Sequence, residues 1–259
     1  MSQVELIFMG TGTSAGVPMI GCHCAVCESS DPRDKRTRPS VVIRYHDITV
    51  LVDATPELRV QCLANRIDMI DAIVLTHAHA DHIMGLDDVR RFNAINHKPL
   101  DCWADARTHD AIERIFGYAF LPPGQGPNVF RPMLVKRVIT ESFRIGQCEW
   151  TPIPLFHGET PILGFRVGRL AYCTDVSRIP DESWPLLRDL DVLVLDALRW
   201  KKHPTHFNVD EAVEAAHRIG AGQTLFTHIN HDLPHEQTNA KLPPGMRLAH
   251  DGERVMAAL

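Results

Sequence analysis

Short apolar runs alternate along the chain with polar turns and with longer stretches whose apolar residues recur every three or four positions. Residues 4–9 are mostly apolar and stop at Gly10-Thr11-Gly12-Thr13-Ser14-Ala15-Gly16, so they read as a strand feeding a loop. Residues 41–44 and 48–52 flank His46-Asp47 in the pattern of a hairpin. Residues 56–65 place Leu58 and Leu63 among polar positions behind Thr55 and Pro56, which predicts a helix with Thr55 as N-cap. Residues 72–76 read as a buried strand, 87–96 and 106–116 as helices, 134–139 and 148–155 as strands, and 163–174 as a second hairpin. DVLVLD (191–196) and 223–227 are continuous buried strands. Residues 208–219 form an amphipathic helix with Val209, Val213, Ala216 and Ile219 on one side, capped by Asn208 and closed by Gly220. Asp251-Gly252 marks a last turn. The charged, proline-bounded segment 28–39 reads as a surface loop. Residues 117–133, with Pro122, Pro123, Gly124, Gly126, Pro127 and Pro132, read as a long irregular loop of the kind that walls a substrate site. Strands alternate with helices and hairpins are mixed in. The pattern predicts an α/β (α+β) chain with two mixed sheets, helices outside, and one domain over 1–259.

A chain of 259 residues can bury a large core, and its 44% apolar and 23% charged residues are ordinary for a globular protein. The net charge of −5 counts against a general binder of nucleic acid or anionic membrane. The N-terminus lacks a basic region followed by an apolar segment, and no run reaches the roughly eighteen apolar residues of a membrane span. The expectation is therefore a cytoplasmic protein. Seven cysteines are an odd number, and a reducing compartment disfavours disulfides. Cys62, Cys102, Cys148 and Cys173 stand alone in apolar or helical stretches and read as small buried hydrophobes. Fifteen histidines are an unusual load, and many gather in polar segments just after apolar runs.

The densest such segment is IVLTHAHADHIMGL, residues 73–86. A strand runs straight into His77, His79, Asp81 and His82. Packing does not explain three histidines and an aspartate in six positions, since these residues are seldom buried without partners. Metal does: His77 and His79 can face one ion while Asp81 and His82 turn to a second.

With HAHADH after a strand, the chain resembles the metallo-β-lactamase superfamily. The resemblance implies a four-layer αββα sandwich and further ligands after later strands. PIPLFHGE supplies His157, LAYCTD supplies Asp175 and TLFTH supplies His228, in that order. It implies one metal on His77, His79, His157 and Asp175, and another on Asp81, His82, His228 and the shared Asp175. Two divalent ions, manganese or zinc, are expected, with a hydroxide between them as nucleophile. Asp53, closing ITVLVDA, is expected to hydrogen-bond a ligand imidazole and fix its tautomer.

GCHCAVC, residues 21–27, raises a separate question. Cys22, Cys24 and Cys27 are three quarters of a tetrahedral cage. His231, three positions after His228 in THINH, must point away from the first centre and is the simplest fourth ligand for a structural zinc. A Cys24/Cys27 redox pair and plain free thiols are the rival readings. The combination narrows the resemblance to the PhnP-type phosphodiesterases. Their GTGxxxGVPxxGCxC loop is GTGTSAGVPMIGCHC here, their THxHxDHxxGL is THAHADHIMGL, and the late THISH-type motif is THINH. The match implies a further active-site histidine between the DVLVLD strand and the next helix. HPTHFNVDEA puts His206 there, with His203 as competitor, to contact the phosphate or protonate the leaving oxygen.

The expected function is a binuclear metal-dependent phosphodiesterase acting on a small cyclic phosphate of the phosphoribosyl 1,2-cyclic or nucleoside 2′,3′-cyclic type. In that scheme Asp81 is a ligand at the reacting centre. Competing readings are a metal-dependent hydrolase of a thioester, lactone or lactam, an RNA-processing nuclease, and a non-catalytic accessory protein similar to the pyrroloquinoline quinone biosynthesis B group. The acidic balance disfavours a stable nucleic-acid complex. No membrane partner is expected, and a homodimer is allowed.

Overall fold

The computed structural model describes residues 2–122, 125 and 130–259. Pro123, Gly124, Gly126 and Pro127 of the expected irregular loop lie outside the described residues. The chain first lays down β1 (Gln3–Gly10), β2 (Ser40–Tyr45), β3 (Ile48–Val52), β4 (Ala72–Val74), β5 (Leu100–Ala104) and β6 (Leu134–Val138). It then forms β7 (Phe143–Ile145), β8 (Cys148–His157), β9 (Thr160–Val167), β10 (Leu170–Cys173), β11 (Val192–Asp196), β12 (Gln223–Thr227) and β13 (Met246–Leu248). The last strand, β14 (Arg254–Ala258), returns to the first sheet. Two seven-stranded sheets result, ordered β14-β1-β2-β3-β4-β5-β6 and β13-β12-β11-β10-β9-β8-β7. Both are mixed. β3 to β6 run parallel in the first, and β10 to β13 run parallel in the second.

Alternation along each strand explains the layers. On β2, Val41, Ile43 and Tyr45 point between the sheets, while Val42 packs outward under the helices. β1 divides in the same way, with Leu6 and Phe8 inside and Ile7 and Met9 outside. Both faces are covered, so these strands read as unbroken apolar runs. The inter-sheet layer closes around Phe8, Tyr45, Trp150, Phe165 and Tyr172. Its polar atoms pair across the gap: Trp150 Nε1 donates to the Tyr45 hydroxyl at 2.8 Å, which donates to the Ile145 carbonyl at 3.1 Å. Helices α1 (Leu58–Asn65), α2 (Ala80–Ile83), α3 (Arg90–Asn96) and α4 (Ala106–Phe116) cover the first sheet, and α5 (Val209–Ile219) covers the second, before the short α6 (His235–Asn239). The architecture is the expected αββα sandwich.

α5 has the caps read from the sequence. The Asn208 side chain accepts from Glu211 N at 2.8 Å, the Glu211 carboxylate accepts from Asn208 N at 3.1 Å, and Gly220 turns at φ +69°. Elsewhere the structure corrects the boundaries. α1 starts at Leu58, two residues after Pro56; Thr55 Oγ1 accepts from Glu57 N at 3.2 Å in a turn ahead of the helix, and Leu63 is exposed. Residues 86–89 form a 3-10 turn before α3 begins. β7 was not expected, and β8 runs on to His157. Segment 28–39 is not wholly a surface loop. Its Asp34 and Arg36 are buried, with Arg36 donating to Thr11 Oγ1 at 2.8 Å and to His235 Nδ1 at 3.0 Å. Among the described residues no helix is long and apolar enough to cross a membrane.

Candidate metal centre

The parallel strands of both sheets deliver polar residues to one end of the sandwich, where an open α/β sheet binds ligands. Asp53 follows β3, Thr76 and His77 follow β4, His157 ends β8, Asp175 follows β10, Asp196 ends β11 and His228 follows β12. The second half of HAHADH is not a loop. It winds into α2, with His82 N donating to His79 O at 3.0 Å. Asp53, Asp175 and His228 hold left-handed backbone at φ +62°, +61° and +60°. Such conformations are costly for non-glycine residues and concentrate at functional sites.

The structure brings together all seven side chains that the sequence singled out for the two ions. Ligand atoms of His77, His79 and His157 lie within 4.8 Å of one another, and so do those of Asp81, His82, Asp175 and His228. Asp175 stands between the groups. Its Oδ1 is 4.0 Å from His77 Nε2 and 3.1 Å from His228 Nε2, and its Oδ2 is 3.3 Å from His82 Nε2. Asp81 Oδ2 lies 3.5 Å from His82 Nε2 and 3.6 Å from His228 Nε2. His79 is exposed and marks the mouth of the pocket; the other six are buried. A third cluster stands apart. The Sγ atoms of Cys22, Cys24 and Cys27 lie 3.2, 3.4 and 3.7 Å from His231 Nδ1. Cys62, Cys102, Cys148 and Cys173 are buried free thiols, as expected.

Of the two candidate histidines, His206 reaches the centre. Its ring centroid is 4.5 Å from those of both His157 and His228, and it shares a potential ligand group with His157 and Asp175. His203 lies outside it, with its ring 5.2 Å from His206. Asp53 makes the expected hydrogen bond to an imidazole of the cluster: its Oδ2 accepts from His82 Nδ1 at 2.7 Å. It also accepts from Thr76 N and Thr76 Oγ1, both at 2.9 Å, and Thr76 Oγ1 lies 2.9 Å from His77 Nδ1. Sequence reasoning missed Thr76, and it missed Asp196, whose Oδ2 accepts from His206 Nδ1 at 2.8 Å. Asp196 had a signal, since it closes an apolar strand as Asp53 and Asp175 nearly do. Thr76 had none.

The electrostatics fit cations. Asp53, Asp175 and Asp196 are wholly buried, and burial raises the pKa of Asp53 and Asp196 against the opposing pull of His82 and His206. At Asp175, His228 and His82 outweigh burial and hold the carboxyl well below its usual range. Burial pulls His77 well below the usual imidazole value and His157 to about 4, which keeps both neutral and able to donate a lone pair. For His82 and His228 burial is outweighed, chiefly by Asp175. His82 rises well above its ordinary value and His228 to about 10, so the pocket draws positive charge. Nδ1 of His82 is committed to Asp53, and Nδ1 of His157 donates to Thr205 O at 2.6 Å. Nε2 of His77, His82 and His228 is buried with no hydrogen-bond partner among the described residues. Imidazoles oriented through Nδ1, as in His82 and His157, and unpartnered Nε2 atoms facing carboxylates suit the binding of divalent metal. In the cysteine cluster the Cys27 N–H donated to Cys24 Sγ lowers that thiol to about 6, while burial raises Cys27 to about 11. Three sulfurs and one imidazole make a soft, closed set suited to zinc.

Known proteins agree with this reading of the fold. A family described as "Beta-lactamase superfamily domain" matches residues 49–229. A crystal structure described as a new diphosphatase from the PhnP family superposes with a TM-score of 0.92 at 46% identity, covering 100% of both chains. An octanoyltransferase of Porphyromonas gingivalis is 36% identical over 253 residues, which are 96% of this chain and 51% of that protein, so the chain spans about half of that relative's length. A coenzyme PQQ synthesis protein B of a Methylobacterium species is 27% identical over 301 residues, covering 96% of this chain and 98% of that one. By its fold, its motifs and these likenesses, the chain belongs to the metallo-β-lactamase superfamily, in its PhnP-type group.

Proposed function

We propose that this protein is a binuclear metal-dependent phosphoric diester hydrolase whose substrate is a small cyclic phosphate of the phosphoribosyl 1,2-cyclic or nucleoside 2′,3′-cyclic type. The observation that carries this reading is Asp175, one buried carboxylate whose two oxygens face both groups of ligand side chains. The likeness to a PhnP-family diphosphatase over the full chain supports phosphorus as the reacting centre. His77, His79, His157 and Asp175 would hold one ion; Asp81, His82, His228 and Asp175 would hold the other. Manganese and zinc both suit this nitrogen and oxygen set. When bound, such a pair supplies Lewis-acid stabilisation of phosphoryl charge and water of lowered pKa.

The chain's own residues do the rest. Asp53 locks His82, and through Thr76 also His77, in orientation. Asp196 accepts a hydrogen bond from Nδ1–H of His206, which leaves His206 Nε2 to serve the leaving oxygen at a position flanked by His157 and His228. Cys22, Cys24, Cys27 and His231 would hold a structural zinc that ties the N-terminal loop to the His228 turn. The partner in this reading is a small anionic molecule; with a net charge of −5, a stable nucleic-acid complex is not part of it.

The test is hydrolysis of bis(p-nitrophenyl) phosphate by metal-reconstituted protein. His206→Ala should slow turnover far more than it changes metal content. Activity confined to carbonyl esters would replace phosphorus with carbon as the target. No hydrolysis with both ions loaded would make the protein an accessory factor.

A further inference from the structure

Asp175 stands between the two ligand groups, so its orientation bears on both at once. Its backbone is fixed from either side. Before it, in β10, Tyr172 pairs with Phe165 of β9 and Val194 of β11, and Cys173 pairs with Leu195 of β11. After it, Val176 O accepts from Phe207 N at 2.5 Å, and Ser177 N donates to Phe156 O at 2.8 Å. With the main chain held, the freedom that remains is rotation of the carboxylate about its own side-chain bonds.

Thr174 stops that rotation. Its Oγ1 donates to Asp175 Oδ2 at 2.6 Å, the length of a strong hydrogen bond to an ionised carboxylate. Neighbouring residues of an extended strand point to opposite faces. Tyr172 lies between the sheets and Cys173 outside them, so alternation puts Thr174 on the inner face. The left-handed turn at Asp175, φ +61°, is what lets the next side chain meet it. The costly backbone conformation and the hydrogen bond therefore belong together. Both side chains are buried, and among the described residues Thr174 is the only hydroxyl that hydrogen-bonds Asp175. The hydroxyl of Tyr172, on the same face, is buried with no partner among those residues. The two carboxylate oxygens end up unequal. Oδ2 carries the Thr174 hydroxyl and lies 3.3 Å from His82 Nε2. Oδ1 faces one member of each ligand group, His77 Nε2 at 4.0 Å and His228 Nε2 at 3.1 Å.

We propose that Thr174 is a positioning residue for both metal positions: its hydroxyl holds Asp175 Oδ2 and so sets the rotation at which one carboxylate meets the two ligand groups. This rests on the function proposed above and adds to it a residue that acts only through Asp175. Without the hydroxyl the carboxylate swings, and both groups lose the alignment of the same ligand.

The experiment is manganese binding by Thr174→Val, which keeps the branched shape and removes the hydroxyl. Calorimetric titration of protein stripped of active-site metal should show two ions bound by the parent, and both bound about 10- to 100-fold more weakly by Thr174→Val. Thr174→Ser, which keeps the hydroxyl, should regain most of that loss. Electron paramagnetic resonance gives a second readout: the exchange-coupled signal of a dimanganese pair should be present in the parent and in Thr174→Ser, and altered in Thr174→Val at saturating manganese. Should the valine variant fail to fold, Thr174→Ala against Thr174→Ser makes the same comparison, since both lack the methyl and only serine keeps the donor. Unchanged affinities and an unchanged coupled signal in Thr174→Val, whatever the fall in Tm, overturn the assignment. So does a loss confined to one ion, or a serine variant as weak as the valine. A parent that binds two manganese ions and hydrolyses no phosphodiester refutes the proposed function alone, and the titrations still decide Thr174; a parent that binds fewer than two overturns both.

Discussion

Asp53→Asn is the sharpest test of how the centre is organised, because it keeps volume and changes only hydrogen-bond polarity. Asp53 is fully buried and acts solely as an acceptor: Oδ1 takes Thr76 N, and Oδ2 takes Thr76 Oγ1 and His82 Nδ1. An asparagine must put its NH2 at one of these positions. At the Oδ1 position it opposes the Thr76 N–H. At the Oδ2 position it opposes His82 Nδ1–H and forces the other tautomer, with the proton on Nε2, the atom that faces Asp175 at 3.3 Å. A protonated Nε2 cannot ligate a cation. One mismatched buried group costs about 1–3 kcal/mol of stability. Loss of an outer hydrogen bond of this kind lowers metal affinity by about 10- to 100-fold, or about 1.4–2.7 kcal/mol. Competition against a fluorescent chelator should show that loss at one of the two active-site ions proposed, with the zinc proposed for the cysteine cluster retained. Two ions bound with unchanged affinity in Asp53→Asn would refute the claim that this carboxylate sets the imidazole tautomer.

Three other outcomes follow from the same geometry. Asp196→Ala removes the acceptor of His206 Nδ1; turnover of alkyl diesters should fall by about 10- to 100-fold and that of p-nitrophenyl diesters much less, at constant metal content, since an activated leaving group does not need the proton. Cys24→Ser should release one equivalent of zinc, read by elemental analysis, and lower Tm by about 5–10 °C, given roughly 2–4 °C per kcal/mol for a chain of this size. His235 is pushed down to about 4, first by burial and then by Arg36, which donates to its Nδ1. The unfolded state therefore takes up this proton first, so the stabilising contribution is complete above about pH 6.5 and is lost as pH falls towards about 4. Urea unfolding at pH 7.5 and pH 5 should show a smaller acid loss in His235→Gln than in the parent; an identical loss would remove His235 from the account.

The legibility of the site has a structural cause. Both faces of both sheets are covered, so the central strands appear in the sequence as apolar runs, and the polar residues just after each run sit at a sheet end. Four of the seven candidate ligands are such residues, His77 after β4, His157 at the end of β8, Asp175 after β10 and His228 after β12, as is Asp53 after β3. Asp196 obeys the same rule at the end of DVLVLD. What stayed hidden depends on contacts that no local pattern encodes. Arg36 is buried in a segment that reads as solvated because its partners are Thr11, Ala249 and His235, the last 199 positions away. Thr76 joins the His77 imidazole to the Asp53 carboxylate through one hydroxyl, and a threonine at a strand end carries no mark of that task. The cysteine cluster is the opposite case. It is distant in sequence yet readable, because three thiols in six positions lack a fourth soft ligand, and His231 is fixed beside a strand whose own terminal histidine is already committed. Legibility therefore follows chemistry that demands rare residue types at constrained positions, and it fails where common residues achieve the same end through long-range contacts.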